Sequence, residues 1–174
     1  MKHITTLALM INLGVAGVYA QSRTVKMTFS GTNVATTISL QPNTITDEQH
    51  SAGVGSLGTF TFRELHADTT GPQTSSCPGP YFLVVAGGGA FQFADGSLLT
   101  VRITEGDGCI NLAALTARLN VQYQITGGTG RFEGATGSLT YTATMRPTIF
   151  NASGTPALLT LTGEIEGTLS TSGN

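Results

Sequence analysis

The sequence predicts an all-β fold, a closed antiparallel barrel or a sandwich, and three observations carry that. Apolar and polar residues alternate over many short runs, so one face of each run packs on a core and the other meets water. Turn residues separate the runs at fairly even spacing, the pattern of barrels and sandwiches. The composition is rich in glycine (23 of 174 residues) and only 10% charged. Of the two architectures, a barrel leaves no strand edge open to aggregation.

The strands follow in order. Val25, Met27 and Phe29 alternate with Thr24, Lys26 and Thr28. Ile38 and Leu40 give a weaker second run. The third, 57–65, has Phe60 and Phe62 on one face. Residues 81–85 are continuously apolar, 90–93 alternate, and Asp95-Gly96 is a hairpin signal before Leu98. Leu99, Val101 and Ile103 then alternate with Thr100, Arg102 and Thr104, and Gly106-Asp107-Gly108 reads as another turn. The run 115–125 alternates cleanly, and 111–119, the one stretch arguable as helix, also favours strand, with one helical turn open at its start. Leu139, Tyr141, Ala143 and Met145 share a face of the next strand. Leu159, Leu161 and Ile165 mark the last.

Between the strands ending at Ile125 and starting near Leu139 stand Gly127, Gly128, Gly130, Gly134 and Gly137. Glycine takes positive φ without steric cost, so this is a specified structural corner. It is not a phosphate loop. A dinucleotide fingerprint starting at Gly128 would need glycine where Glu133 stands, and a P-loop would need Gly-Lys-Ser/Thr where Arg131-Phe132 stands. Arg131 is expected to bond backbone carbonyls or to pair with Glu133.

The corner GGTGRFEGATG, followed by an alternating strand, resembles the corner of allene oxide cyclases and, more loosely, that of plant dirigent proteins. Phe91, Phe93, Asp95, Gly96 and the strand 98–104 fall where those cyclases carry an aromatic strand, a turn and a further strand. The resemblance covers 87–146, and small secreted bacterial proteins of this barrel type are the most similar. It implies a closed antiparallel barrel of about eight strands. It also implies a trimer by the cyclase likeness, or a dimer or trimer by the dirigent one.

The amino end reads as a signal peptide over 1–20. Lys2 supplies the positive start, an apolar run follows, and Val18-Tyr19-Ala20 ends on the small residue that a signal peptidase needs. Residues 21–174 then form a single β-barrel domain, large enough to bury a core. With 8 basic and 10 acidic side chains and no run of like charge, the chain lacks the basic face that nucleic acid needs. The apolar run is short of a span, and no later segment could cross a membrane as a helix. The expected location is secreted or periplasmic.

Cys77 and Cys109 are the 2 cysteines. An even count in an exported chain reads as a disulfide, worth about 3–4 kcal/mol by loop-closure entropy. No metal is expected, because the cysteines are distant and the 3 histidines lack ligand spacing. No cofactor is expected either, and there is no Gly-x-Ser-x-Gly nucleophile motif.

Phe60, Phe62, Glu64 and His66 share parity on one strand. The catalytic candidate is Glu64, since a carboxylate inside an apolar barrel can act as acid or base. Allene oxide cyclases are understood to use a buried carboxylate, but their glutamate cannot be matched to Glu64 by motif. The favoured reading is that the strand end leaves the barrel and that Glu64 and His66 are solvated at the rim. Phe60, Phe62, Phe91, Phe93, Tyr123 and Tyr141 are the residues expected to line a ligand cavity.

The leading function is a secreted barrel that binds a small apolar molecule or a partner without catalysis. The alternatives are an isomerase or cyclase of the allene oxide cyclase type, a dirigent-like stereochemical guide, and a structural surface protein with a filled barrel. Whether the chain is an enzyme stays open, with no as the leaning. A homo-oligomer also stays open.

Overall fold

Thr59, Thr61 and Arg63 are exposed while Phe60, Phe62 and Glu64 between them are buried, and this parity organises the chain. The computed structural model describes residues 21–154 and 156–171. The segment read as a signal peptide lies outside them. The strands are β1 (Gln21–Thr36), β2 (Ile45–Gly55), β3 (Gly58–Thr70), β4 (Tyr81–Phe93), β5 (Leu98–Asn111), β6 (Thr116–Gly128), β7 (Thr136–Phe150) and β8 (Pro156–Thr171). Each pairs antiparallel with the next, and β1 pairs with β8, so the 8 strands close into a barrel. No helix among the described residues is long and apolar enough to cross a membrane.

Three details differ from the strand reading. Ile38 and Leu40 are exposed and lie in the loop before β2, not in a strand. The second strand is β2, whose inner positions Asp47, Gln49 and Ser51 are polar and so give no apolar alternation. Gly106-Asp107-Gly108 is no turn: it lies within β5, next to a register shift between Ile103 and Glu105. The start of 111–119 is the end of β5 and a turn over 112–115 leading into β6, without helix.

Alternation around the barrel makes its two ends unlike. At one end the links are short: Ser56-Leu57, the Asp95-Gly96 turn, and the glycine corner with a 3-10 turn at Gly130–Phe132. At the other end lie the longer loops 37–44 and 71–80, with 112–115 and 151–154.

The short end is plugged. Phe132 is buried under the corner, and its ring lies 4.7 Å from that of Phe93. The Arg131 guanidinium covers both rings, 4.8 Å from the Phe93 centroid and 4.6 Å from that of Phe132. Its Nη2 donates to the Leu57 carbonyl at 2.6 Å, and its Nε pairs with Asp95 Oδ2 at 3.1 Å. The ion-pair partner is thus Asp95, where the sequence suggested Glu133. Gly130 sits at φ +60, and a Cβ there would come within 2.6 Å of Ser97 Oγ.

Above the plug the interior is packed. Phe62 stacks on Phe91 at 4.0 Å, and Phe29 stacks on Tyr141 at 4.6 Å. Gly89 lets the Phe62 ring lie against the wall, since a Cβ there would sit 2.7 Å from it. Cys77 and Cys109 form a disulfide that ties loop 71–80 to β5 itself.

Candidate functional site

Even-numbered residues of β3 point inward from Phe60 to Asp68. A bulge falls where Ala67 pairs with Ala86 and Asp68 with Val84, so the extra residue is Val85 on β4. The inward parity of β3 therefore survives, and Glu64, His66 and Asp68 follow the phenylalanines up one face. On β2, Gln49 stands opposite Glu64 and Asp47 opposite His66. The two strands thus deliver five polar side chains to the upper interior.

Glu64 is 3% exposed and His66 1%, so the expectation of a solvated rim is corrected. The physical reason is the length of β3, which continues to Thr70 and keeps both residues inside the wall. The Tyr123 hydroxyl donates to Glu64 Oε2 at 2.5 Å. The Tyr141 hydroxyl donates to Gln49 Oε1 at 2.8 Å. The other Glu64 oxygen, Oε1, lies 3.2 Å from His66 Nδ1. That pair is a close charge contact without good hydrogen-bond alignment. On the far side of the ring, His66 Nε2 is 3.6 Å from Asp68 Oδ2 and 3.9 Å from Asp47 Oδ2.

Burial and charge act against each other here. Burial pulls the His66 imidazole down, but contact with Glu64 and the charges of Asp68 and Asp47 outweigh it and hold the group up at about 9. Burial raises Asp68, and Asp47 and Glu64 add to it against the pull of His66, leaving it at about 7. Burial also raises Asp47, opposed by His66 and Asn33. Burial lifts both tyrosines well above their ordinary range, helped by the Glu64 charge. At neutral pH the cluster thus holds a charged imidazolium and a carboxyl poised to gain or lose a proton.

This cluster floors a cavity of about 640 Å³ at the long-loop end. Its walls are largely apolar, with Ile45, Phe82, Ile110, Ala117, Met145 and Leu159, while Asn33, Asp47, His66 and Asp68 are among its polar groups, with Asn43, Tyr81 and three threonines also on the lining. No lysine or arginine is among the described residues that line it. Large apolar side chains left exposed crowd the same end: Ile38, Leu40, Leu112, Leu115, Ile149 and Phe150.

The six aromatic residues expected to line a cavity sit elsewhere. Phe60, Phe62, Phe91, Phe93, Tyr123 and Tyr141 are all buried and pack on one another below the cluster, and none of them lines this cavity. The tyrosines reach the site by their hydroxyls alone. Of the corner glycines, Gly127, Gly130, Gly134 and Gly137 take positive φ, and Gly128 faces the Leu98 carbonyl, all at the opposite end. Asp47, Gln49, Asp68 and Asn33 were missed. The signal that could have found Asp68 was parity alone, one step beyond His66.

No known protein family matches the sequence, and no curated protein matches it either. Among solved structures, the chain is similar to a pterocarpan synthase dirigent protein at 12% identity and a TM-score of 0.42, over 93% of this chain and 98% of that one. The barrel described above stands on this chain's own strand pairing.

Proposed function

We propose that the protein is a small-molecule-binding barrel, acting outside the cytoplasm, whose open end receives an apolar molecule with one polar group. The observation that carries this is the 640 Å³ cavity with apolar walls and a buried Asp47–His66–Asp68 floor. Ligand sites are commonly this size, mostly apolar, with a few placed polar groups that set orientation. The exposed apolar residues at that end of the barrel suit the approach of such a molecule. The Cys77–Cys109 disulfide supports an oxidising compartment.

The test is titration of the protein with an apolar fluorescent probe. Ala117→Trp fills the cavity from its wall and should abolish probe binding while leaving the circular dichroism spectrum unchanged. Undiminished probe binding in that variant overturns the reading.

One observation favours a second reading, an isomerase that works by proton transfer. Asp68 and His66 hold protons near neutrality at the edge of the cavity, where a bound molecule would meet them. Turnover of an epoxide or enone substrate, lost in Asp68→Asn with probe binding kept, would replace the binding-only reading by this one.

A further inference from the structure

We propose that Asp47, His66 and Asp68 form a binding site for a divalent first-row metal ion. The sequence excluded metal on cysteine and histidine spacing, but here the donors come together from two strands. His66 and Asp47 are direct cross-strand partners, and Asp68 follows two residues on with the same parity. One ligand atom from each lies within 4.8 Å of the others.

The spacing is too wide for a hydrogen-bonded cluster. The 3.6 and 3.9 Å from His66 Nε2 to the two carboxylates exceed the roughly 2.7–2.9 Å of a charge-assisted hydrogen bond. Donors held at about 2.0–2.2 Å from one ion stand roughly 3–3.5 Å apart. Small side-chain movements of the two aspartates, both on the cavity wall, close that difference. A buried imidazole nitrogen is therefore aimed between two carboxylates without a hydrogen bond to either.

The rear of the imidazole supplies the second argument. His66 is 1% exposed, and its Nδ1 faces Glu64 Oε1 at 3.2 Å. Glu64 is in turn held by the Tyr123 hydroxyl at 2.5 Å. An ion that binds must displace the Nε2 proton of the imidazolium, and the Glu64 carboxylate beside Nδ1 favours the remaining proton on that nitrogen, which leaves Nε2 to the ion. The charge count agrees. Glu64, Asp47 and Asp68 face a single His66, with no lysine or arginine among the described residues that line the cavity, and a divalent cation offsets that excess. A set of one imidazole and two carboxylates suits zinc, manganese or iron rather than a soft copper(I) site. Positions on the ion not taken by protein would face the cavity.

The experiment uses the full exported chain, stripped with a chelator and titrated with zinc chloride alone by calorimetry. One ion per chain is expected. Asp47→Asn and Asp68→Asn should each weaken it at least tenfold, and Glu64→Gln should weaken it by about 10–100-fold through the orientation of His66. His50→Gln serves as a control, because His50 pairs with Glu48 on the outer face, and affinity should not change. Nitrogen NMR of the unmutated protein should show the His66 Nε2 resonance shift with zinc while Nδ1 keeps its proton, so the test does not depend on any variant folding. Absence of binding, or binding that survives the Asp47→Asn/Asp68→Asn double variant, overturns the proposal. Probe binding, measured with chelator present, reads the binding function separately: either result can fail while the other stands.

Discussion

The two ends of this barrel are built from opposite materials. The short-link end carries glycines with positive φ, a buried Phe132 and an Arg131 whose hydrogen-bonding groups reach Leu57 and Asp95. The long-loop end carries a cavity, three carboxylates around one histidine, and four buried polar atoms without an aligned partner: Asn33 Oδ1, Glu64 Oε1, His66 Nδ1 and Asp68 Oδ1. Unpaired buried polar groups cost stability. One end is therefore optimised for closure, and the other retains a cost that a binding role would explain. Between them the aromatic layer isolates each from the other.

The largest expected effect comes from that middle layer. Phe62→Ala should destabilise the fold by about 3–5 kcal/mol, because the ring is fully buried against Phe91 and Tyr123. Denaturant unfolding measures it. Probe binding should survive, since Phe62 does not line the cavity. Lost binding with unchanged stability would instead make the layer part of the site. Next comes the disulfide. It spans 32 residues, so Cys77→Ser with Cys109→Ser should cost about 3–4 kcal/mol. Unlike Phe62→Ala, this change should also weaken probe binding, because loop 71–80 carries Pro80 into the cavity wall. Probe titration of the double variant separates the two cases.

That contrast also explains what was legible. Strands with apolar inner faces, such as β3, β6 and β7, stood out because Phe60, Tyr123 and Tyr141 alternate with threonine or glutamine. The glycine corner was legible because positive φ leaves a compositional trace. β2 left none: its inner face reads Asp47, Gln49, Ser51, Gly53, and a polar face toward the interior looks like a loop. The candidate site sits there for the same reason. Half of it, Glu64 and His66, could be reached by extending the parity of β3. The other half depends on the pairing of Asp47 with His66, and cross-strand register is not written in either strand alone.

A smaller effect tests the plug. Gly130→Val should destabilise by about 1–3 kcal/mol, since φ is +60 and Ser97 Oγ blocks the added carbon. Thermal melting gives the shift. Probe affinity should stay within error of the unmutated protein, because the corner and the cavity lie at opposite ends. A loss of affinity equal to that of the disulfide variant would show that the two ends are coupled through the aromatic layer.

The pH profile differs in sign between the ends. His66 holds its proton up to about 9 when folded, against an ordinary 6.5. Its stabilisation is full below about 6.5 and is lost as pH rises through about 9. Asp68 keeps its proton to about 7 when folded, against an ordinary 3.8. The folded state then binds more protons than the unfolded chain across that window, so stability falls as pH rises through it. Asp47, raised by burial, acts in the same direction. At the plugged end, a backbone hydrogen bond from Ser97 and the charge of Arg131 hold Asp95 below its ordinary range. Its contribution is present above about 3.8 and is lost as pH falls, so it is constant from about pH 5 to 9. In chelator, the melting midpoint should therefore decline from about pH 5 to 9, and the open end alone should set that decline. Asp68→Asn should flatten the part below about 7 and move the part nearer 9 to lower pH, because the Asp68 charge helps to hold the His66 proton. Arg131→Lys should change neither part. A profile that is flat in the unmutated protein, or one that Asp68→Asn leaves untouched, would mean that the His66 cluster does not hold its protons as its burial and charges dictate.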